Sequence, residues 1–158
     1  MPDTLLSALN QEHVALRELL FTALDALVEG DAALAKSSFQ EFTTRLLDHA
    51  AAEEAHLIPL FASRGLESTG CTAAILLADH AKLRRLLHEA RGRLPRPGTT
   101  ISPRARVEAV LAMRTLIELL AHHDERERSG FFPALDVALT EEERAALYVI
   151  CARSQASA

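Results

Sequence analysis

The chain has 158 residues, a net charge of −5, 49% hydrophobic residues, six glycines, six prolines and no tryptophan. That length fits one domain, residues 1–158, able to bury roughly two-thirds of the surface its unfolded chain exposes, and a composition led by alanine, leucine, glutamate and arginine favours an all-helical protein. No stretch is apolar for long enough to span a bilayer, the N-terminus lacks the basic-then-apolar layout of a signal peptide, and the charge is acidic, so a cytoplasmic protein without membrane or general nucleic-acid partners is expected.

Taken in chain order, Asp3 or Thr4 can cap a first helix running to about Val28, with Gly30 as its stop. Its stripe of Leu5, Leu6, Leu9, Leu16, Leu19, Leu20, Leu24 and Leu27 has helical period and takes in the His13 position. Asp31 can cap a second helix through about Ser63, ended by Gly65 and kinked in its last turn by Pro59. A third helix fits about Ser68 to Arg91, followed by the longest loop, Gly92 to Thr100. Ser102-Pro103 opens a fourth helix running towards Arg128, where Pro133 repeats the Pro59 break. Thr140 and Glu143 form a capping box for a short fifth helix, about 141–153. The simplest assembly is an antiparallel up-down-up-down four-helix bundle over about 3–135 with a short C-terminal fifth helix.

A duplicated chemical pattern runs through these helices. Glu12-His13-Val-Ala-Leu-Arg17 is followed by His49-x-x-x-Glu53 and Pro59; Asp79-His80-Ala-Lys-Leu-Arg84 is followed by His123-x-x-x-Glu127 and Pro133. The offsets are 67 residues between His13 and His80 and 74 between His49 and His123, so the second half carries seven extra residues between its helices. Residues four apart on an α-helix lie about 6 Å apart along the axis and only about 40° around it. Each His/Glu pair therefore projects from one face, and two hairpins related by a pseudo-two-fold would converge all six residues at mid-bundle.

His13, His49, Glu53, His80, His123 and Glu127 are a ligand set for two transition-metal ions. An imidazole gives one nitrogen to a first-row metal, and a carboxylate can bridge two ions while cancelling charge that a dry core could not otherwise hold. Two bridging glutamates with two histidines per ion leave coordination positions open for water, hydroxide, O₂, peroxide or NO. Histidine and carboxylate without thiolate suit iron or manganese better than structural zinc. One lone histidine on an apolar face is ordinarily a satisfied core residue, but four in duplicated register with two glutamates are not.

Several neighbours compete. His122 adjoins His123, but the repeat and the ten-residue spacing to proline both choose His123. His56, seven residues after His49 and on the same helical face, could be a fifth ligand or a donor behind the ligands; its repeat counterpart is Gly130. Glu54 and Glu125 read as solvated or supporting, His88 as outside the cluster, and Asp124 to Arg128 as a charged outer face from which only Glu127 turns inward. Cys71 and Cys151, the only cysteines, fit no metal or redox spacing and read as reduced thiols. Residues 82–106 hold eight Lys/Arg against Glu89 alone, leaving −12 for the remainder. The plainest reading of that basic run is a solvated helix end and loop.

On Glu12-His13, His49-x-x-x-Glu53, Asp79-His80 and His123-x-x-x-Glu127, with Ile58-Pro59 and Phe131-Phe132-Pro133 behind the pairs, the chain resembles the hemerythrin-type HHE cation-binding domain over about residues 5–135. The resemblance implies a non-haem di-iron centre, carboxylate-bridged and oxo- or hydroxo-bridged, held by those six residues. It departs from the oxygen-carrying hemerythrins: the positions four either side of His80 are Leu76 and Arg84 rather than a fifth histidine, and Glu127 replaces an aspartate five after the last histidine, where Arg128 stands. The four-His/two-Glu set is closer to bacterial hemerythrin-like proteins, to di-iron proteins that repair iron centres after nitrosative stress, and to the iron-sensing domain of a ubiquitin-ligase subunit. The function implied is binding or reduction of O₂, peroxide or NO at an iron pair, an oxidoreductase when an electron donor serves it. The alternative is an iron, oxygen or redox sensor acting through a protein partner.

Overall fold

A computed structural model describes residues 4–156, with side chains as far as Cys151. Helix α1 spans Leu5–Glu29 and begins where the Thr4 hydroxyl accepts the Ser7 N–H; Asp3, the other candidate cap, lies outside the described residues. Gly30 ends it in the left-handed region at φ 88°, its N–H reaching back to Ala26 and Leu27. Asp31 caps α2, Ala32–Ala52, by accepting from Leu34 N–H at 2.9 Å. Such caps contribute about 1 kcal/mol each by satisfying donors the helix cannot.

The chain stays helical after α2 but widens. Glu53–Leu57 is a π-helical turn, continuous with α3, Ile58–Ser63. Pro59 sits in the first turn of α3, and the Ile58 N–H just before it bonds to the Glu53 carbonyl five residues back. The expected kink is thus a wide turn, which keeps the carbonyl four residues back from crowding the proline ring. The same device recurs where α6, Arg114–Arg126, passes through the π turn Glu127–Phe131 into α7, Phe132–Ala138.

Helix α4, Ala73–Arg93, starts five residues later than Ser68. Ser68 and Cys71 exchange backbone hydrogen bonds of 3.0 Å across a tight turn containing Gly70 at φ 86°. Thr72 then caps the helix by accepting from Ile75 N–H, and Glu67 accepts from Ala73 N–H at 2.7 Å. Ser102 caps α5, Pro103–Ala112, as expected. The anticipated fourth helix is, however, divided at Met113 between α5 and α6, and no glycine or proline marks that break. Thr140 and Glu143 form their reciprocal capping box at the start of α8, Glu141–Ala156.

The result is an all-helical bundle, with no strand among the described residues beyond the Ser68–Cys71 bridge and no helix long and apolar enough to cross a membrane. Its core is in two parts. One cluster is built on Leu16, Leu20, Phe39, Phe42, Leu83 and Leu116; the other on Leu9, Leu57, Phe61, Leu76, Phe131 and Phe132. Full burial of each of these large side chains contributes about 1.5–3 kcal/mol. Along each long helix one turn of the apolar stripe is replaced by polar residues: His13 between Leu9 and Leu16, His49 and Glu53 between Leu46 and Leu57, His80 between Leu76 and Leu83, and His123 and Glu127 between Leu120 and Phe131.

Candidate metal centre

The polar layer lies between the two apolar clusters and is almost dry. Glu53 and Glu127 are 0% exposed, His80 and His123 1%, His49 5% and His13 7%. Four imidazole Nε2 atoms converge on four carboxylate oxygens. His49 Nε2 is 3.2 Å from Glu53 Oε1, and His80 Nε2 is 3.3 Å from Glu53 Oε2. His13 Nε2 is 3.1 Å from Glu127 Oε2, and His123 Nε2 is 3.1 Å from Glu127 Oε1. Each glutamate thus offers one oxygen to each half of the layer. The rings form matching edge-on pairs, His13–His49 at 4.8 Å and 70° and His80–His123 at 4.9 Å and 72°.

Two groups of potential ligands follow: His13, His49, Glu53 and Glu127, and Glu53, His80, His123 and Glu127, with the ligand atoms within each group all within 4.8 Å of one another. The glutamates belong to both. All six residues singled out in the sequence come together. His88 and His122 stay out as expected, and His56, left open as a fifth ligand or supporting donor, stays out too; all three, with Glu125, are exposed. His56 would share the face of His49 on a regular α-helix, but the π turn between them rotates it outwards.

A cation fits this layer on the evidence of the buried atoms themselves. Neither oxygen of Glu53 nor of Glu127 accepts a hydrogen bond, and His80 Nε2 is likewise unpaired. Buried carboxylate oxygens without partners cost several kcal/mol unless a positive charge compensates them. The electrostatics of the bare residues show the same deficit. Burial and the neighbouring Glu53 charge push the Glu127 carboxyl well above the usual range, whereas His49 overcomes burial to hold Glu53 well below it. Burial and the adjacent His49, whose Nε2 is 2.9 Å away, lower the His13 ring to about 3. His49 moves oppositely: burial lowers it, but Glu53, Glu12 and Asp124 together outweigh that and raise it. Two carboxylates in one dry layer disfavour each other's charge, and the opposite directions of Glu53 and Glu127 express it.

Behind the rings stands a belt of carboxylate–arginine pairs. Glu54 accepts from His80 Nδ1 at 2.8 Å and from Arg84 at 2.8 Å. Asp124 lies 3.7 Å from His13 Nδ1 and 3.3 Å from Arg17. Asp79 lies 3.7 Å from His123 Nδ1 and is gripped by Arg126. Glu12 holds Arg45 through both oxygens, at 3.2 and 2.8 Å, and its charge raises the His49 ring. Carboxylates in this position fix ring orientation and the nitrogen that faces inward. Asp124 corrects the sequence reading, which placed it on an outer charged face; it is only 8% exposed. The belt had a signal in the chain, because Arg17 and Arg84 each follow the repeat histidine by four residues. A cleft of about 430 Å³ between α1 and α6 reaches this layer from outside, bordered by His13, Arg17, Asp124 and Arg128.

The family model of the hemerythrin HHE cation binding domain matches residues 4–135. The chain belongs to the hemerythrin HHE cation-binding family. No curated protein and no solved structure matches it. Residues 4–135 of this hemerythrin domain take in all six layer residues, both π turns, the carboxylate–arginine belt and the first four residues of α7, whereas the end of α7 and all of α8 follow it. A cation-binding role is therefore the family's, and the paired His/Glu groups are where this chain could hold its ions.

Proposed function

We propose that the protein binds two iron ions, one in each group, with His13 and His49 on the first, His80 and His123 on the second, and Glu53 and Glu127 bridging both. The observation that carries this is the sharing of both glutamates between two four-residue groups whose carboxylate oxygens are otherwise without partners. Bound there, the irons supply the capacity to bind or reduce O₂, peroxide or NO. The donor set, nitrogen and oxygen without thiolate, supports iron, with manganese the nearest competitor.

The protein's own residues do the rest. Glu54 holds the His80 ring by its Nδ1, and Asp124 and Asp79 face the Nδ1 atoms of His13 and His123, so that the Nε2 of these three rings faces the layer. The two apolar clusters exclude water above and below it. Leu76, one turn before His80 and fully buried, stands where the oxygen carriers are expected to have a histidine, so one donor fewer faces the second group. The cleft beside His13 is the approach for a small ligand, and Arg17 and Arg128 at its rim are paired with Asp124 and Glu125.

The bundle is read as antiparallel, up-down-up-down and a single domain. Successive long helices meet the two apolar clusters in alternating order, Leu9 before Leu16, Leu46 before Leu57, Leu76 before Leu83 and Leu120 before Phe131. Cytoplasmic location accords with two unpaired cysteines.

Reduction requires an electron donor and is tested by peroxide and NO turnover of the iron-loaded protein with a chemical reductant. Many turnovers per chain, abolished in His49→Ala, support reduction; stoichiometric consumption alone contradicts it and leaves reversible binding. A sensor acting through a protein partner is the second reading. It is favoured by α8, which packs on α1 and α2, the carriers of His13 and His49, and buries Cys151 beside the second apolar cluster. A redox-dependent change in proteolysis of α8, without turnover, selects it.

A further inference from the structure

A cleft of about 370 Å³ opens between α2 and the segment that follows α4, lined by a set of residues separate from the His/Glu layer. It absorbs part of the basic run that the metal centre leaves unexplained. Lys36 of α2, Arg91 of the last turn of α4 and Arg96 of the loop line one cavity that contains no carboxylate. None of the three makes a side-chain hydrogen bond or ion pair, whereas every other arginine with a described side chain, Arg93 apart, grips a carboxylate or a backbone carbonyl.

A cation in the last turn of a helix is ordinary, because it offsets the helix dipole. That explains Arg91 alone. Lys36 lies in the first half of α2 and Arg96 beyond α4, so the folding of separate elements brings three unpaired cations together. Three like charges lining one cleft with no counter-charge give it a positive potential that favours an anion. The other walls are suited to one. Thr44 and Gln40, whose side chains make no internal hydrogen bond, supply polar donors on the α2 side, and Leu47, Leu94 and Pro97 form an apolar surface. The volume falls at the lower end of the ~300–1,000 Å³ of small-ligand sites.

We propose that this cleft binds a small organic phosphate monoester, its phosphate between Lys36, Arg91 and Arg96 and its apolar body against Leu47, Leu94 and Pro97. Two guanidinium forks and an ammonium match a dianion with several acceptor oxygens better than a single carboxylate. The apolar surface separates an organic phosphate from the free ion. The proposal is independent of which metal the His/Glu layer holds.

Phenyl phosphate titrated into the metal-loaded full chain by calorimetry is the test, with the K36E/R96E variant as control. Both residues are exposed, so the variant keeps the fold. Saturable binding is expected, weakened at least about tenfold in the variant and by added salt; inorganic phosphate, benzoate and benzyl alcohol should each bind more weakly. Absence of saturable binding overturns the proposal. Equal affinity in the variant does so as well, because it places the ligand elsewhere, the metals included. Benzoate or inorganic phosphate binding as tightly as phenyl phosphate overturns the assignment of the ligand class.

Discussion

Glu53 and Glu127 decide the chemistry at the scale of single residues. Each is fully buried, neither has a hydrogen-bond partner, and each faces a histidine from both halves of the layer. Two consequences differ in sign. Glu127→Gln removes a carboxylate that we propose bridges two ions and should abolish uptake of the ion pair. In the metal-stripped protein the same change removes a carboxyl whose charged form burial and Glu53 disfavour, so chemical denaturation at neutral pH should show a gain in stability. A loss of stability in the stripped variant would mean that the glutamate serves structure rather than metal. His49→Ala and His123→Ala, each taken from a different group, should both fail to hold two irons; a variant that still does so refutes the ligand assignment. The six residues were legible in the chain because spacing within one helix fixes which side chains share a face. Asp124 was not, because its burial depends on Arg17 and His13 of another helix, and a contact between helices leaves no period in either.

The elements are where sequence and structure part most. Proline at 59 and 133 announced a disturbance after each pair, yet not its form, a π turn beginning at each glutamate. One consequence escaped the helical period: the extra residue rotates His56 away from the face of His49. The start of α4 was missed because Gly70, needed for a left-handed turn, closes a Ser68–Cys71 bridge that displaces the cap to Thr72. Near the end of α4, Gly92 is exposed with open space where a Cβ would stand. Gly92→Ala should therefore stabilise the protein by about 0.5–1 kcal/mol through backbone entropy, read as a higher denaturation midpoint. Helix α8 makes a different prediction. Burial first, and the Glu53 charge second, push the Cys151 thiol up to about 11, and burial also raises Cys71. Near pH 8 both thiols should be protonated and shielded, and a thiol reagent should label neither until the chain unfolds. Rapid labelling of Cys151 alone in the folded protein would show that α8 does not stay docked.

At the scale of the whole molecule, the two apolar clusters hold the bundle together and the polar layer between them works against it. A layer of four histidines and two glutamates occupies positions that leucines would fill in a simple bundle, and without cations it leaves buried oxygens unsatisfied. Ions that bind the folded layer and not the unfolded chain raise stability by mass action. Chelation should therefore lower the melting temperature, and reloading should restore it; a Tm indifferent to chelator would show a layer that needs no cation. The helical class and the duplicated pattern of polar residues were readable from composition and repeat, since both are properties of whole segments. The division of the core was not, because it emerges only when four stripes are set side by side.

The most direct test is the metal content of the chain after anaerobic loading with ferrous iron and exposure to air, with the near-ultraviolet and visible spectrum recorded before and after azide. About two irons per chain and charge-transfer absorption that shifts on azide are expected of an iron pair with an open position. One iron or none per chain, or a spectrum that azide leaves unchanged, would contradict it.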